Sequence, residues 1–194
     1  MSWVAEILRK QHRVCRRCRL GPTHLYDPAP SSGEIGEGGE LPEQESSGTP
    51  LCNACLESKL ADDFALFAGR CLVFEPALGP EAFVYHPFDG QTAMAWPEQE
   101  RAAARECLEK LPANCSVCAG PGRFAWIPVD ADANLWGSDW ISSLREGTLT
   151  PNSTLCGSCA ARRLTRTFEQ RGLYFEGIVP PRNGDGTLFC TELY

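Results

Sequence analysis

Leu51-Cys52-Asn53-Ala54-Cys55 returns 104 residues later as Leu155-Cys156-Gly157-Ser158-Cys159, and Cys15-Arg16-Arg17-Cys18 returns 100 residues later as Cys115-Ser116-Val117-Cys118. A two-residue spacer lets neighbouring sulfurs occupy two corners of a tetrahedron, so two such pairs have the layout of a four-thiolate metal site. A lone Cys-x-x-Cys is equally a redox dithiol. Four pairs in duplicated order point to metal instead. The expectation is two structural Zn2+ ions per chain. Cys15, Cys18, Cys52 and Cys55 would hold one, and Cys115, Cys118, Cys156 and Cys159 the other.

The sequence around the pairs repeats as well. Ser2 to about Gln11 reads as a helix with Ser2 as N-cap and Trp3, Ile7 and Leu8 on one face. The Cys15–Cys18 knuckle and a Leu20-Gly21-Pro22 turn follow. Residues 27–50 hold Pro, Gly, Ser and Glu with almost no large apolar side chains, and read as a flexible acidic loop. From Cys52 to about Ala68, Leu56, Leu60, Phe64 and Phe67 recur at helical steps, with Gly69 as the stop and Cys71–Phe74 as a strand. In the second half, Pro97-Glu98 opens a helix to about Lys110, Gly120-Pro121 repeats the turn, and Leu164 and Phe168 point inward from the helix after Cys156. Gly172 ends that helix and Leu173–Phe175 is the strand beyond it.

Between the repeats, Cys71–Phe74, Ala82–Tyr85 and Thr92–Trp96 read as three short strands of a meander. Ile178-Val179 and Leu188-Phe189, either side of Asn183-Gly184-Asp185-Gly186, suggest a closing hairpin. This order of knuckle, long loop, Cys-x-x-Cys at a helix start and strand resembles the treble-clef zinc finger over Cys15–Phe74 and Cys115–Phe175. A helix N-terminus offers unpaired N–H groups and a positive dipole end, both of which favour thiolates. The expected fold class is α+β, with two duplicated treble-clef-like zinc units joined by a small antiparallel β-meander. The units would be 1–75, with its loop at 27–50, and 97–194, with its C-terminal hairpin; 76–96 would connect them.

Composition sets the surroundings. Eight of eleven cysteines fall in the pairs, leaving Cys71, Cys107 and Cys190, an odd remainder that suits reduced thiols. No charged-then-apolar leader opens the chain and no apolar run approaches ~18 residues, so a reducing, cytoplasmic setting without a membrane is expected. Net charge is −7 but unevenly spread. Leu20–Ser58 holds no Lys or Arg, whereas Arg13, Arg16 and Arg17 crowd the first knuckle and Arg162, Arg163 and Arg166 follow the last. These six are the candidate nucleic-acid contacts. The acidic total disfavours unaided binding, since phosphate contacts supply most of such affinity.

Catalytic signals are thin. A treble-clef nuclease of the His-Asn-His type needs a histidine by the knuckle and another on the helix. Among His12, His24 and His86, only His24 is suitably placed, and neither metal-site helix carries one. Two closed four-sulfur sites leave no position for a reactive water. Gly36-Glu37-Gly38-Gly39 lacks the Lys-Ser/Thr and preceding strand of a phosphate loop. Trp3, Trp96, Trp126, Trp136 and Trp140 read first as core and second as stacking platforms.

Cys115–Cys118, an aromatic loop and Pro151-Asn152-Ser153-Thr154-Leu155-Cys156-Gly157-Ser158-Cys159-Ala160 resemble the zinc finger of the large-subunit protein of type IV CRISPR effector complexes. That resemblance implies a subunit of a guide-RNA complex in antiviral defence that touches a target duplex. The function expected is a zinc-stabilised, non-catalytic subunit of a larger intracellular complex, with other protein subunits and nucleic acid, RNA or DNA, as partners. The alternative is a zinc-finger protein–protein adaptor without nucleic-acid contact, and a treble-clef nuclease stands last.

Overall fold

A computed structural model describes residues 14–20, 24–26, 49–65, 67, 69–76, 81–85, 98–129, 143, 145–171, 173–178 and 185–192. The helix expected at 2–11, the acidic loop to residue 48, the strand expected at 92–96 and the stretch around Trp136 and Trp140 lie outside them.

The apolar periodicity after Cys52 becomes α1 (Asn53–Ala65), which buries Leu56, Leu60 and Phe64 along one face. The corresponding helix, called α3 here (Gly157–Arg171), buries Ala160, Ala161 and Leu164. The helix between them, α2 (Glu98–Glu109), buries Ala103, Ala104 and Leu108. Its exposed side carries the i,i+4 pair Glu106–Lys110, and the Arg70 guanidinium donates to the carbonyl of Leu108 in its last turn and to those of Leu111 and Pro112 just past its end.

Among the described residues eight strands accompany the helices: β1 (His24–Tyr26), β2 (Thr49–Leu51), β3 (Cys71–Pro76), β4 (Glu81–Tyr85), β5 (Phe124–Val129), β6 (Ser153–Leu155), β7 (Leu173–Ile178) and β8 (Asp185–Glu192). β1 and β2 form a two-stranded ribbon, and the others one sheet in the order β6-β5-β3-β4-β8-β7. The fold is mixed α/β. It differs from the expected small meander because β3 and β4 continue into strands on both sides, and because β3 runs parallel to β5. The expected C-terminal hairpin is present as β7–β8.

Alternation along β3 and β5 divides the interior into two layers. Cys71, Val73, Phe124 and Trp126 face α1 and α3, joined there by Leu56, Leu60, Phe64, Phe67 and Leu164. Leu72, Phe74, Ala125, Ile127 and Val129 face α2. Phe64, Phe67 and Phe124 meet ring to ring at 4.8 to 6.0 Å between centroids, in tilted or edge-on geometry. Gly157 lets α3 approach α1 closely: a Cβ there would sit 3.3 Å from that of Phe64.

The duplication is visible in the backbone. β1–β2 pairs His24 with Leu51 and Tyr26 with Thr49; β5–β6 pairs Phe124 with Leu155 and Trp126 with Ser153, the same register at the sequence offsets of 100 and 104. β4 and β8 pair antiparallel about Phe83 and Thr187, which are themselves 104 apart, so a pseudo-twofold axis passes between them. The strands after the metal-site helices are exchanged. β3, following α1, pairs with β5 of the second unit, and β7, following α3, runs against β1 of the first as well as pairing with β8.

Candidate metal centres

Both knuckles are built by one hydrogen-bond pattern. Cys15 N–H donates to Leu20 O at 2.5 Å, Arg19 N–H to Cys15 O at 2.9 Å, and Arg16 N–H to Pro50 O at 2.9 Å. In the second unit Cys115 donates to Gly120 O at 2.6 Å, Ala119 to Cys115 O at 2.9 Å, and Ser116 to Thr154 O at 2.8 Å. Each turn closes through a left-handed residue, Arg19 at φ 65° and Ala119 at φ 59°. Gly122 follows where a Cβ would lie 2.5 Å from the Thr154 methyl and 3.0 Å from the Asn114 backbone. The second cysteine pair of each set brackets a helix start: Leu56 N–H reaches Cys52 O and Ala160 N–H reaches Cys156 O, both at 2.9 Å.

This scaffold gathers the eight predicted ligands into two groups, Cys15/Cys18/Cys52/Cys55 and Cys115/Cys118/Cys156/Cys159, with all sulfurs of a group within 4.8 Å of one another. Cys18 and Cys52 Sγ lie 3.5 Å apart, Cys118 and Cys156 Sγ 3.6 Å. A tetrahedron with Zn–S bonds of about 2.3 Å has edges of about 3.8 Å. The donor set and its spacing therefore fit a tetrahedral thiophilic ion, and each group is able to hold one. No disulfide joins the described cysteines.

The electrostatics call for a cation. Burial pushes the Cys15 thiol up, but backbone N–H groups of Cys18, Cys52 and Arg17 outweigh it and hold it at about 6. Cys115 is likewise brought to about 6, against burial, by N–H groups of Cys156, Cys118 and Val117. Burial and the surrounding thiols push Cys55 up to about 12 and raise Cys159 in the same way. Each group thus readily holds one anion and resists the last, which a divalent ion reverses by stabilising all four sulfurs as thiolates.

The candidate arginines divide into two kinds. Arg16 and Arg17 are exposed on the first knuckle, with Arg17 Nη1 donating to Ser58 Oγ at 3.3 Å. Arg162 and Arg166 are exposed on α3, with Arg162 Nε donating to Glu57 Oε1 at 3.0 Å. Arg163 is placed differently. Its guanidinium lies 4.7 Å over the buried Trp126 ring, donates to Ser153 Oγ at 3.1 Å, and sits 3.6 Å from the Glu75 carboxylate. Glu75 also accepts from Trp126 Nε1 at 2.6 Å and Thr167 Oγ1 at 2.7 Å. Arg13 lies outside the described residues.

A counterpart to the Arg163–Trp126 stack exists in the first unit and no local sequence signal announced it. Lys59 lies 5.0 Å over the Tyr26 ring and pairs with Asp63, which accepts from Tyr26 Oη at 2.8 Å. Lys59 and Arg163 are 104 residues apart, Tyr26 and Trp126 100. A cation on a helix covering the last ring of the neighbouring strand is part of the duplicated framework.

His24 is buried in β1, with Nε2 3.0 Å from Asn53 Oδ1; His12 and His86 lie outside the described residues. Among the described residues no helix is long and apolar enough to cross a membrane. Set against known proteins, the chain matches no family model, no curated protein and no solved structure.

Proposed function

We propose that the chain is a zinc-stabilised, non-catalytic subunit of a larger complex, built from two treble-clef-like units and contacting nucleic acid. The observation that carries this reading is the pairing of two closed four-sulfur groups with exposed Arg16, Arg17, Arg162 and Arg166 beside them. Four thiolates saturate a tetrahedral ion, so the metal supplies shape rather than a reactive water. His24, the one histidine suitably placed for nuclease chemistry, is packed inside and bonded to Asn53, which supports a binding role. Through the likeness of residues 115–160 to the type IV CRISPR zinc finger, a guide-RNA effector is the specific complex to examine.

Leu20 and Val117, 66% and 69% exposed on the two knuckles, favour a second reading, in which the knuckles are a protein-docking surface. Isolation of the native protein with its partners separates the two. Stoichiometric nucleic acid that resists nuclease-free washing at low salt is expected. A polypeptide partner with no nucleic acid would leave only the adaptor.

A further inference from the structure

The two arginine sets lie 145 residues apart in sequence, from Arg17 to Arg162, yet one member of each is hydrogen-bonded to the same turn of α1. Arg17 is anchored on Ser58 and Arg162 on Glu57, adjacent residues whose Cα atoms are about 3.8 Å apart. Arg16 adjoins Arg17, and Arg166 follows Arg162 by four residues on the same exposed face of α3. Asp62, exposed one turn beyond Ser58, bounds the strip on α1. Resting on the nucleic-acid reading above, we propose that Arg16, Arg17, Arg162 and Arg166 form a single site for a phosphodiester backbone that crosses α1, with Glu57 as a built-in competitor for Arg162.

Charge and chemistry specify the ligand further. Four cations stand against two carboxylates, Glu57 and Asp62, so the strip is net positive on an acidic protein and suits a polyanion. A guanidinium donates two parallel N–H groups to a phosphate, and an exchangeable acceptor such as the Ser58 hydroxyl yields to it. Among the residues whose burial is described, the rings of Tyr26, Phe64, Phe67, Phe74, Phe124 and Trp126 are all packed inside. The four guanidinium groups are assigned to phosphate oxygens, contacts that carry no sequence information, so the site takes the backbone without regard to sequence. Arg163 takes no part, because Trp126, Ser153 and Glu75 already hold it.

The test uses full-length, zinc-loaded protein and two labelled short duplexes of unrelated sequence, with affinity followed by anisotropy across a salt series. Equal affinity for both duplexes is expected, at one duplex per chain. Arg17→Ala and Arg162→Ala should each flatten the salt slope by about 0.9. Zinc content and melting temperature should stay unchanged, and the lysine variants should retain most of the slope. Glu57→Gln should tighten binding about three-fold, the size of one exposed ion pair released. Wild-type binding whose slope ignores Arg17→Ala and Arg162→Ala would overturn this site and leave the nucleic-acid reading standing. Two duplexes per chain would split the strip and overturn it too. Absence of salt-dependent binding to either duplex, or preference for a polyglutamate peptide, would overturn both and favour an acidic protein partner.

Discussion

Arg19 and Ala119 occupy the same left-handed position, one residue after the second cysteine of each knuckle, at φ 65° and 59°. A residue with a Cβ loses about 1 kcal/mol or more in that region, and glycine does not. Ala119→Gly should therefore stabilise the zinc-loaded protein by about 1 kcal/mol in chemical denaturation, and a loss of stability would show that the turn is held elsewhere. The opposite sign is expected at Glu75. Glu75→Ala strands Trp126 Nε1, the Thr167 hydroxyl and the Arg163 guanidinium together, and a broken partly buried ion pair costs about 3 kcal/mol. A melting temperature unchanged by Glu75→Ala would overturn its place as the hub of that network. At this scale the sequence was partly legible. Ligand spacing is local and named all eight sulfurs, whereas Glu75, Trp126 and Arg163 are joined by no periodicity and meet only once the sheet has formed.

At the scale of the element, knuckle and helix start together frame each four-sulfur group, which is able to hold a metal ion. Structural zinc supplies about 10 kcal/mol or more of apparent binding energy, as much as a small domain's whole stability. Purified reduced protein should hold two zinc ions per chain by elemental analysis, and Cys52→Ser or Cys156→Ser should unfold the protein or sharply lower its soluble yield. A folded Cys156→Ser protein with full metal content would remove that sulfur from the ligand set. Acid should act in the same direction. Folded values near 6 for Cys15 and Cys115 lie below the ordinary thiol range, so their contribution is complete above that range and lost as pH falls through about 6. Protons also compete with the ion for every thiolate. Zinc release to a chromogenic chelator should therefore increase as pH is lowered, and release that is independent of pH would contradict this competition. The helices were legible because Leu56, Leu60 and Phe64 recur at helical spacing. The parallel β3–β5 pairing was not, since strand alternation tells which face is buried but not which strand lies alongside.

Across the whole molecule, the exchanged strands make each half depend on the other. β3 pairs with β5 across the boundary between the repeats, and the α1–α3 contact buries Phe64 beneath Gly157. Residues 1–96 and 97–194 expressed separately should give poorly dispersed amide spectra, and mixing them with zinc should restore the folded spectrum. A well-dispersed isolated half would show that the exchange is dispensable.

The pseudo-twofold between Phe83 and Thr187 has one more consequence. A lone unit of this design would find its missing strand most readily on an identical neighbour, giving a self-complementary dimer whose two faces are obliged to match. Tethering both copies in one polypeptide removes that obligation. Position for position, the first knuckle carries Arg16 and Arg17 where the second carries Ser116 and Val117, and α1 carries Asp62 where α3 carries Arg166. Polarity across the dyad is a freedom that only the covalently joined pair possesses, and it gives a symmetric frame a direction along which a strand-like ligand can lie one way round.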